Sequence, residues 1–259
     1  AASDVYKRQV LLGFMKDTEA VGYFTAATKI MVITMSISSA LGAVIMPRTS
    51  NLIAEERMDE FKALVQKSYD FIFALAMPLM VGLIFTSPSA VLLLSGEGFV
   101  PAILTSQIVA FNILTVGLSG VMGIQVLYPL GKINIVILCT SIGAIINVFL
   151  NVLLIPRYGH NGTAVAYMLA EMTVTVSMFF IGKRYIPIRF LKRQHLNYVL
   201  GSVVMGVCLY FISWLGLGNT ATLVMMISMG GIVYVVILLF LRDSIGMIPW
   251  KILREKFGK

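Results

Sequence analysis

INIVILCTSIGAIINVFLNVLLI (133–155), PRYGHN (156–161) and GTAVAYMLAEMTVTVSMFFIG (162–182) are consecutive, and the way they alternate decides the fold. The first run carries no charged residue and the second only Glu171. Each is about 20 residues long, the length at which a helix rising 1.5 Å per residue crosses the hydrocarbon of a bilayer. The polar stretch between them holds Pro156, Arg157 and Gly159, residues that end a helix and turn the chain. The reading is a pair of antiparallel transmembrane helices.

The same test applied outward places further spans at 20–47, 68–87, 101–128, 198–215 and 220–241, seven in all. The composition agrees: of 259 residues, 58% are hydrophobic and only 12% charged, and the mean hydropathy is +0.91. These values lie outside the range of water-soluble domains. Val10 to Met15 is too short to cross and reads as the end of a further helix, and Ala1 to Gln9 as a non-native or disordered head. The fold class expected is all-α, a polytopic transmembrane bundle. Its divisions are 1–9, a head; 10–182, a transporter lobe; 183–197, a basic linker; 198–241, two additional spans; and 242–259, a basic tail.

Lys and Arg then orient the spans, because positive charge is retained in short cytoplasmic loops. With 48–67 inside, the cytoplasmic side holds Arg48, Arg57, Lys62, Lys67, Lys132, Lys183, Arg184, Arg189, Lys192, Arg193 and the basic residues of the tail, whereas the outer side holds only Lys16 and Arg157. The C-terminus is therefore expected in the cytoplasm. The net charge of +8 is spread over membrane-flanking loops, where it meets anionic lipid headgroups, and no nucleic-acid partner is expected. Segment 48–67 mixes Leu52, Ile53, Phe61 and Val65 with Glu55, Glu56, Asp59 and Glu60, the pattern of an interfacial helix. Cys139 and Cys208 lie in apolar spans without metal-ligand spacing and read as packing residues.

Function is sought where the bilayer makes a side chain costly, since an ionisable group at mid-membrane costs about 2.5 to 3.5 kcal/mol. Lys29 sits about 15 Å into the first span, too deep to reach the headgroups, with Thr25 and Ser36 on the same helical face. Glu171, flanked by Tyr167 and Thr175 at one-turn spacing, is the carboxylate nearest mid-membrane. A third stripe runs through Thr140, Gly143, Asn147 and Asn151, and reads as contact between helices, small residues admitting close approach and amides bonding across. Asp70 lies near a span end and receives no role. Pro78, Gly117, Gly120, Gly123 and Pro156 mark bends or close packing. No nucleotide-binding glycine loop or converging carboxylate pair is present, and the loops are too short for a catalytic domain, so a carrier is favoured over a membrane glycosyltransferase.

The run Asn147-Val-Phe-Leu-Asn151-Val-Leu-Leu-Ile-Pro156-Arg157-Tyr158-Gly159-His-Asn-Gly162-Thr-Ala164-Val-Ala166, followed by Glu171, resembles the signature of polysaccharide flippases in the multidrug/oligosaccharidyl-lipid/polysaccharide (MOP) exporter superfamily. Glu19-Ala-Val-Gly22-Tyr23-Phe-Thr-Ala26-Ala27-Thr-Lys29-Ile30 and Met46-Pro47-Arg48 resemble that family's eighth helix and its exit. The resemblance implies a MATE-like C-terminal lobe followed by two additional helices, with an N-terminal lobe as its missing partner. It further implies movement of undecaprenyl-pyrophosphate-linked oligosaccharide across a bacterial plasma membrane by alternating access. On that basis Lys29, Thr25, Ser36, Glu171 and Tyr167 would bind substrate, no cofactor would be needed, and Na⁺ or H⁺ would be the coupling ion. A MATE-type cation/drug antiporter would need more buried carboxylates than Glu171 supplies. A noncatalytic scaffold subunit of polysaccharide assembly would use the polar stripes as glue alone.

The charge asymmetry makes a topological prediction. With Cys139 and Cys208 replaced by Ala, a cysteine at position 157 reacts with an impermeant thiol reagent in intact cells, and one at position 184 reacts only after permeabilisation.

Overall fold

The computed structural model describes residue 9 and residues 11–241. The head and the basic tail expected at 1–9 and 242–259 thus lie outside the described residues, apart from Gln9. Seven α-helices follow residues 11–15, themselves helical: α1 (Thr18–Ala54), α2 (Met58–Ser95), α3 (Ala102–Val109), α4 (Phe111–Gly120), α5 (Ile133–Gly182), α6 (Arg193–Ser213) and α7 (Asn219–Phe240). Between α4 and α5 the chain widens into a π-helical turn, Val121–Leu127. No strand occurs among the described residues. A bilayer leaves backbone N–H and C=O groups no other partners than those of their own helix, which is why the apolar runs become helices.

Five stretches are long and apolar enough to cross a membrane: Met58–Ser95, Ala102–Leu127, Ile133–Gly182, Arg193–Ser213 and Asn219–Phe240. The 50-residue α5 is two crossings, because Gly159 breaks it with φ 54° and ψ −130°. That backbone conformation is open to glycine and costly for a residue with a Cβ. The span expected at 20–47 lies within α1. Exposed Ile145, Phe149 and Phe211, 70, 66 and 66% accessible, would be a liability in water and are ordinary against lipid.

Three clusters of buried side chains hold the bundle, and α2 contributes to all of them. At the end of the bundle where α1 starts, Met80 and Leu83 of α2 join Phe24 and Ala27 of α1, Val109 and Ile113 of α3 and α4, and Ile155 and Tyr167 of α5. Toward the opposite end, where α1 meets α2, Phe61, Val65 and Ile72 meet Val121, Met122 and Leu127 of the π turn and Cys139 and Met178 of α5. On a third side, Ala74 supports Tyr198, Met205 and Leu209 of α6 and Met226 and Tyr234 of α7. Tyr234 anchors this last contact by donating its hydroxyl to Ala74 O at 2.6 Å.

Three sequence expectations are corrected. The interfacial helix of 48–67 is absent: α1 runs to Ala54 and α2 starts at Met58, with the turn at Glu55–Arg57 between them. Its apolar residues Leu52, Phe61 and Val65 are buried against the bundle instead of lying on lipid, and Arg57 pairs with Glu55 and Glu60 at 2.7 Å. Pro47 does not end α1, which continues another turn and more beyond it. The span expected from 198 belongs to a helix that begins earlier, α6 starting at Arg193.

Close approach is concentrated at a few glycines. A Cβ on Gly143 would sit 2.3 Å from Val174 Cγ2 and 3.2 Å from Ala170 O, so the two halves of α5 touch there. One on Gly117 would meet Ile72 Cγ2 at 3.1 Å, and one on Gly123 would make ordinary contact with Met178 Cε at 3.6 Å, whereas Gly120 faces open space. Gly143→Val is expected to lower stability by about 1 to 3 kcal/mol through overpacking, read as a drop in the unfolding temperature of detergent-solubilised protein. Gly120→Ala, at a helical backbone position with room around it, leaves that temperature unchanged or raises it.

Candidate functional site

α1 starts where Asp17 caps it, its Oδ1 accepting from Ala20 N at 2.7 Å. Its buried face is Phe24, Ala27, Thr28, Ile30 and Met31. Lys29 lies on the other side, exposed, and Val32, Ile33 and Ser36 continue its stripe at helical spacing, exposed as well. Among the described residues Lys29 is therefore the one ionisable group in a stripe that the bundle leaves open, about a third of the way along a 37-residue helix. A cation there requires water, an anion or a polar partner surface in front of it.

The neighbouring hydroxyls are turned inward on their own helix. Thr25 Oγ1 donates to Val21 O at 2.7 Å and accepts from Gln9 Nε2 at 2.9 Å, tying the preceding helical segment to α1. Ser36 Oγ donates to Ile33 O at 2.7 Å. Tyr167 sits in the cluster around Phe24 and Ile155, 7% exposed, and so is not on the open stripe with Lys29. Glu171 is half-buried one turn farther along α5. Thr175 Oγ1 bridges this face to α4, donating to Thr115 O at 3.0 Å as well as to Glu171 O at 2.9 Å. Pro78 lies inside α2, and Pro156 precedes the reversal at Gly159.

Asn147 and Asn151 do not bond across helices as expected. Asn151 Nδ2 donates to Asn147 O and Oδ1 at 2.8 and 3.1 Å, both within α5. Asn147 Nδ2 and Asn151 Oδ1 are buried without a partner among the described residues, as is the amide of Asn112 on α4. Of the stripe, Gly143 admits the close approach of the two halves of α5, and Asn147 and Asn151 are buried in the bundle. No group of three or more His, Cys, Asp or Glu suited to a metal ion occurs among the described residues. An apolar cleft of about 280 Å³, lined by Tyr69, Met122, Phe179, Phe180 and Phe190 among others, suits hydrocarbon and lies apart from Lys29.

Asp70 was given no role by the sequence and turns out to organise the end of the bundle that carries the basic loops. Its Oδ2 lies 2.8 Å from Lys192 Nζ, and its Oδ1 accepts from Gln66 Nε2 at 2.8 Å and lies 3.0 Å from His195 Nε2. Lys192 N donates to His195 Nδ1 at 3.2 Å, which makes Nε2 the protonated nitrogen, donating to Asp70. Gln66 Oε1 accepts from Arg189 N at 2.7 Å. Phe73 lies against the imidazole at 4.8 Å between ring centroids, and Tyr69 at 5.6 Å. A buried carboxylate on α2 thereby fixes the linker and the first turn of α6 to the lobe. Lys192 and His195 are more than a hundred residues from Asp70 in sequence, so nothing local could have joined them.

Asp70→Ala is expected to destabilise the protein by about 3 kcal/mol, the lower end of the range for removing one member of a buried ion pair, because the Lys192 side chain is partly exposed. It should also make the 183–192 segment a preferred site of limited proteolysis. Glu55→Ala, which removes an exposed partner of Arg57, should do neither.

Comparison with known proteins agrees with this architecture. A solved structure titled "Lipid II flippase MurJ, inward closed conformation" superposes with a TM-score of 0.77 at 16% identity, covering 91% of this chain and 50% of that one, which speaks to the fold. The "Probable low-salt glycan biosynthesis flippase Agl15" of Haloferax volcanii is 25% identical over 230 residues, 88% of this chain and 48% of the relative. The "Uncharacterized membrane protein MJ1068" of Methanocaldococcus jannaschii is 22% identical over 217 residues, 80% and 42% respectively. The chain spans about half the length of the curated relatives it matches. Residues 17–241 match the family described as Lipid II flippase MurJ, and with that match covering most of its helices the chain belongs to this flippase family of the MOP superfamily.

Proposed function

We propose that this chain is one lobe of a carrier that moves a lipid-linked oligosaccharide across the plasma membrane by alternating access, with Lys29 drawing the pyrophosphate of the substrate. The observation that carries the reading is the exposure of Lys29 on a stripe of α1 that the rest of the bundle leaves uncovered. A second lobe facing that stripe would enclose Lys29 in a cavity. There an ammonium offsets the cost of taking a phosphate anion through a low-dielectric layer. The names of the relatives support the substrate class, one as a glycan biosynthesis flippase and the family as lipid II flippases.

In this reading the chain has no catalytic role, and its C-terminus is cytoplasmic. Transport requires the complementary lobe, and Na⁺ or H⁺ supplies the driving force. Glu171, half-buried and one helical turn from Thr175, is the residue proposed to sense that ion. Thr25, Ser36 and Tyr167 shape α1 and its contact with α5, and Lys29 alone meets the substrate anion. The π turn at Val121–Leu127, where helical bonding is loosest, is the proposed flexing point of the lobe.

Translocation of a fluorescent lipid-linked oligosaccharide in proteoliposomes tests the reading, using the chain together with its complementary lobe. Lys29→Leu should slow flipping about tenfold or more, the factor set by losing one charge-assisted contact, at unchanged expression and unfolding temperature. Lys29→Arg should retain most of the rate. Equal rates for the lysine and leucine forms would contradict the role given to Lys29.

A further inference from the structure

The end of the bundle opposite the basic loops holds a second cavity, of about 510 Å³. It is built by three separate pieces of chain: the first turn of α1, Leu104 of α3, and the reversal of α5 at Arg157–Asn161. The walls are fixed by contacts among those pieces. Tyr23 packs edge-on against Phe99 at 5.6 Å and tilted against His160 at 5.1 Å between ring centroids. Thr105 Oγ1 donates to Asn161 Oδ1 at 2.7 Å, and His160 Nε2 lies 3.4 Å from Pro101 O. Burial pushes the His160 imidazole below its ordinary pKa despite the opposing pull of Pro101 O and Asp17, so it lines the cavity as a neutral group at pH 7.

Pairing within the cavity is one-sided. The carboxylates each have a donor already, Asp17 from Ala20 N and Glu19 from the Tyr23 hydroxyl, and each retains one oxygen to accept another bond. Lys16 and Arg157, both exposed, make no ion pair among the described residues. The Asn161 amide oxygen accepts the bond from Thr105, which orients the amide nitrogen as a donor for another group. Tyr158 presents its ring, 60% exposed, at the rim. Unpaired cations, amide and carboxylate groups able to meet hydroxyls, and an aromatic face for the C–H side of a ring together describe carbohydrate chemistry. The volume falls in the range of small-molecule sites.

We propose that this cavity is a subsite for an acidic sugar, with the carboxylate of the sugar between Lys16 and Arg157 and its ring on Tyr158. The assignment of the ligand as a glycan rests on the carrier reading. By the charge asymmetry of the loops the cavity opens on the outer side, so it would hold the sugar that has already crossed. A phosphate anion shares the attraction to Lys16 and Arg157 but has no use for Tyr158, Asn161 or the open carboxylate oxygens. That difference separates a sugar from a lipid headgroup.

Saturation-transfer NMR tests the proposal on the chain in phosphatidylcholine nanodiscs. The probes are a hexuronic-acid disaccharide, the neutral disaccharide of the same linkage, and inorganic phosphate as competitor. The uronic disaccharide should bind saturably and more tightly than the neutral one. Lys16→Gln with Arg157→Gln should weaken it about tenfold or more, and Tyr158→Ala about threefold or more. All three residues are exposed, and unchanged unfolding temperatures confirm that the variants fold. Absence of saturable binding, equal affinity for the neutral disaccharide, displacement by phosphate at equal concentration, or indifference to the substitutions would each overturn it. Binding of the disaccharide without flipping of any lipid-linked glycan would leave the subsite standing and remove the carrier reading; flipping without such binding would do the reverse.

Discussion

A peptide group in hydrocarbon has no water to bond, and every other feature of this molecule is arranged around that constraint. It forces each apolar run into a helix and leaves association to packing, because lipid tails solvate leucine as well as a neighbouring helix does. Close fit then matters more than apolar area. The two halves of α5 meet at Gly143 against Val174 and Ala170 O, α4 meets α2 where Gly117 faces Ile72, and α6 reaches α2 where a Cβ on Gly206 would lie 3.0 Å from both Val81 and Phe85. Since α2 takes part in all three buried clusters, it is the column on which the lobe and the α6–α7 hairpin are assembled.

Polar groups complete the arrangement where packing cannot specify it. At the end that carries the basic loops the Asp70 carboxylate collects Lys192, His195 and Gln66, and Lys132 Nζ lies 4.9 Å from the centre of the Tyr185 ring, bracing the turn before α5 against the linker. These bonds make the linker a fixed strut.

The spans were legible in the sequence because length and charge are local properties: the runs on either side of Pro156 to Asn161 can be read as two crossings without knowing any contact. Lys29 was legible for the same reason, as a charge that hydrocarbon would penalise. What faces Lys29 was not, since exposure is decided by which side of α1 Phe24 and Met31 occupy in the bundle. Periodicity places Tyr167 on one face with Glu171 but does not say that this part of the face packs into the cluster around Phe24 and Ile155. The same limit applies to Asn147 and Asn151, whose spacing permits either a bond across helices or the bond along α5 that forms. Asp70 was invisible because its partners arrive from the other end of the chain, and the apolar alternation of 48–67 looked interfacial because the bundle that buries Phe61 and Val65 is not local to it.

The central claim is that the Lys29 stripe faces water rather than lipid, and single cysteines in a background with Cys139 and Cys208 replaced by Ala measure it directly. In the assembled carrier in liposomes, cysteines at 29, 33 and 36 should react with a charged thiol reagent, while cysteines at 145 and 149, exposed on the apolar side of α5, should not. Protection of position 29 to the same degree as position 149 would contradict the account.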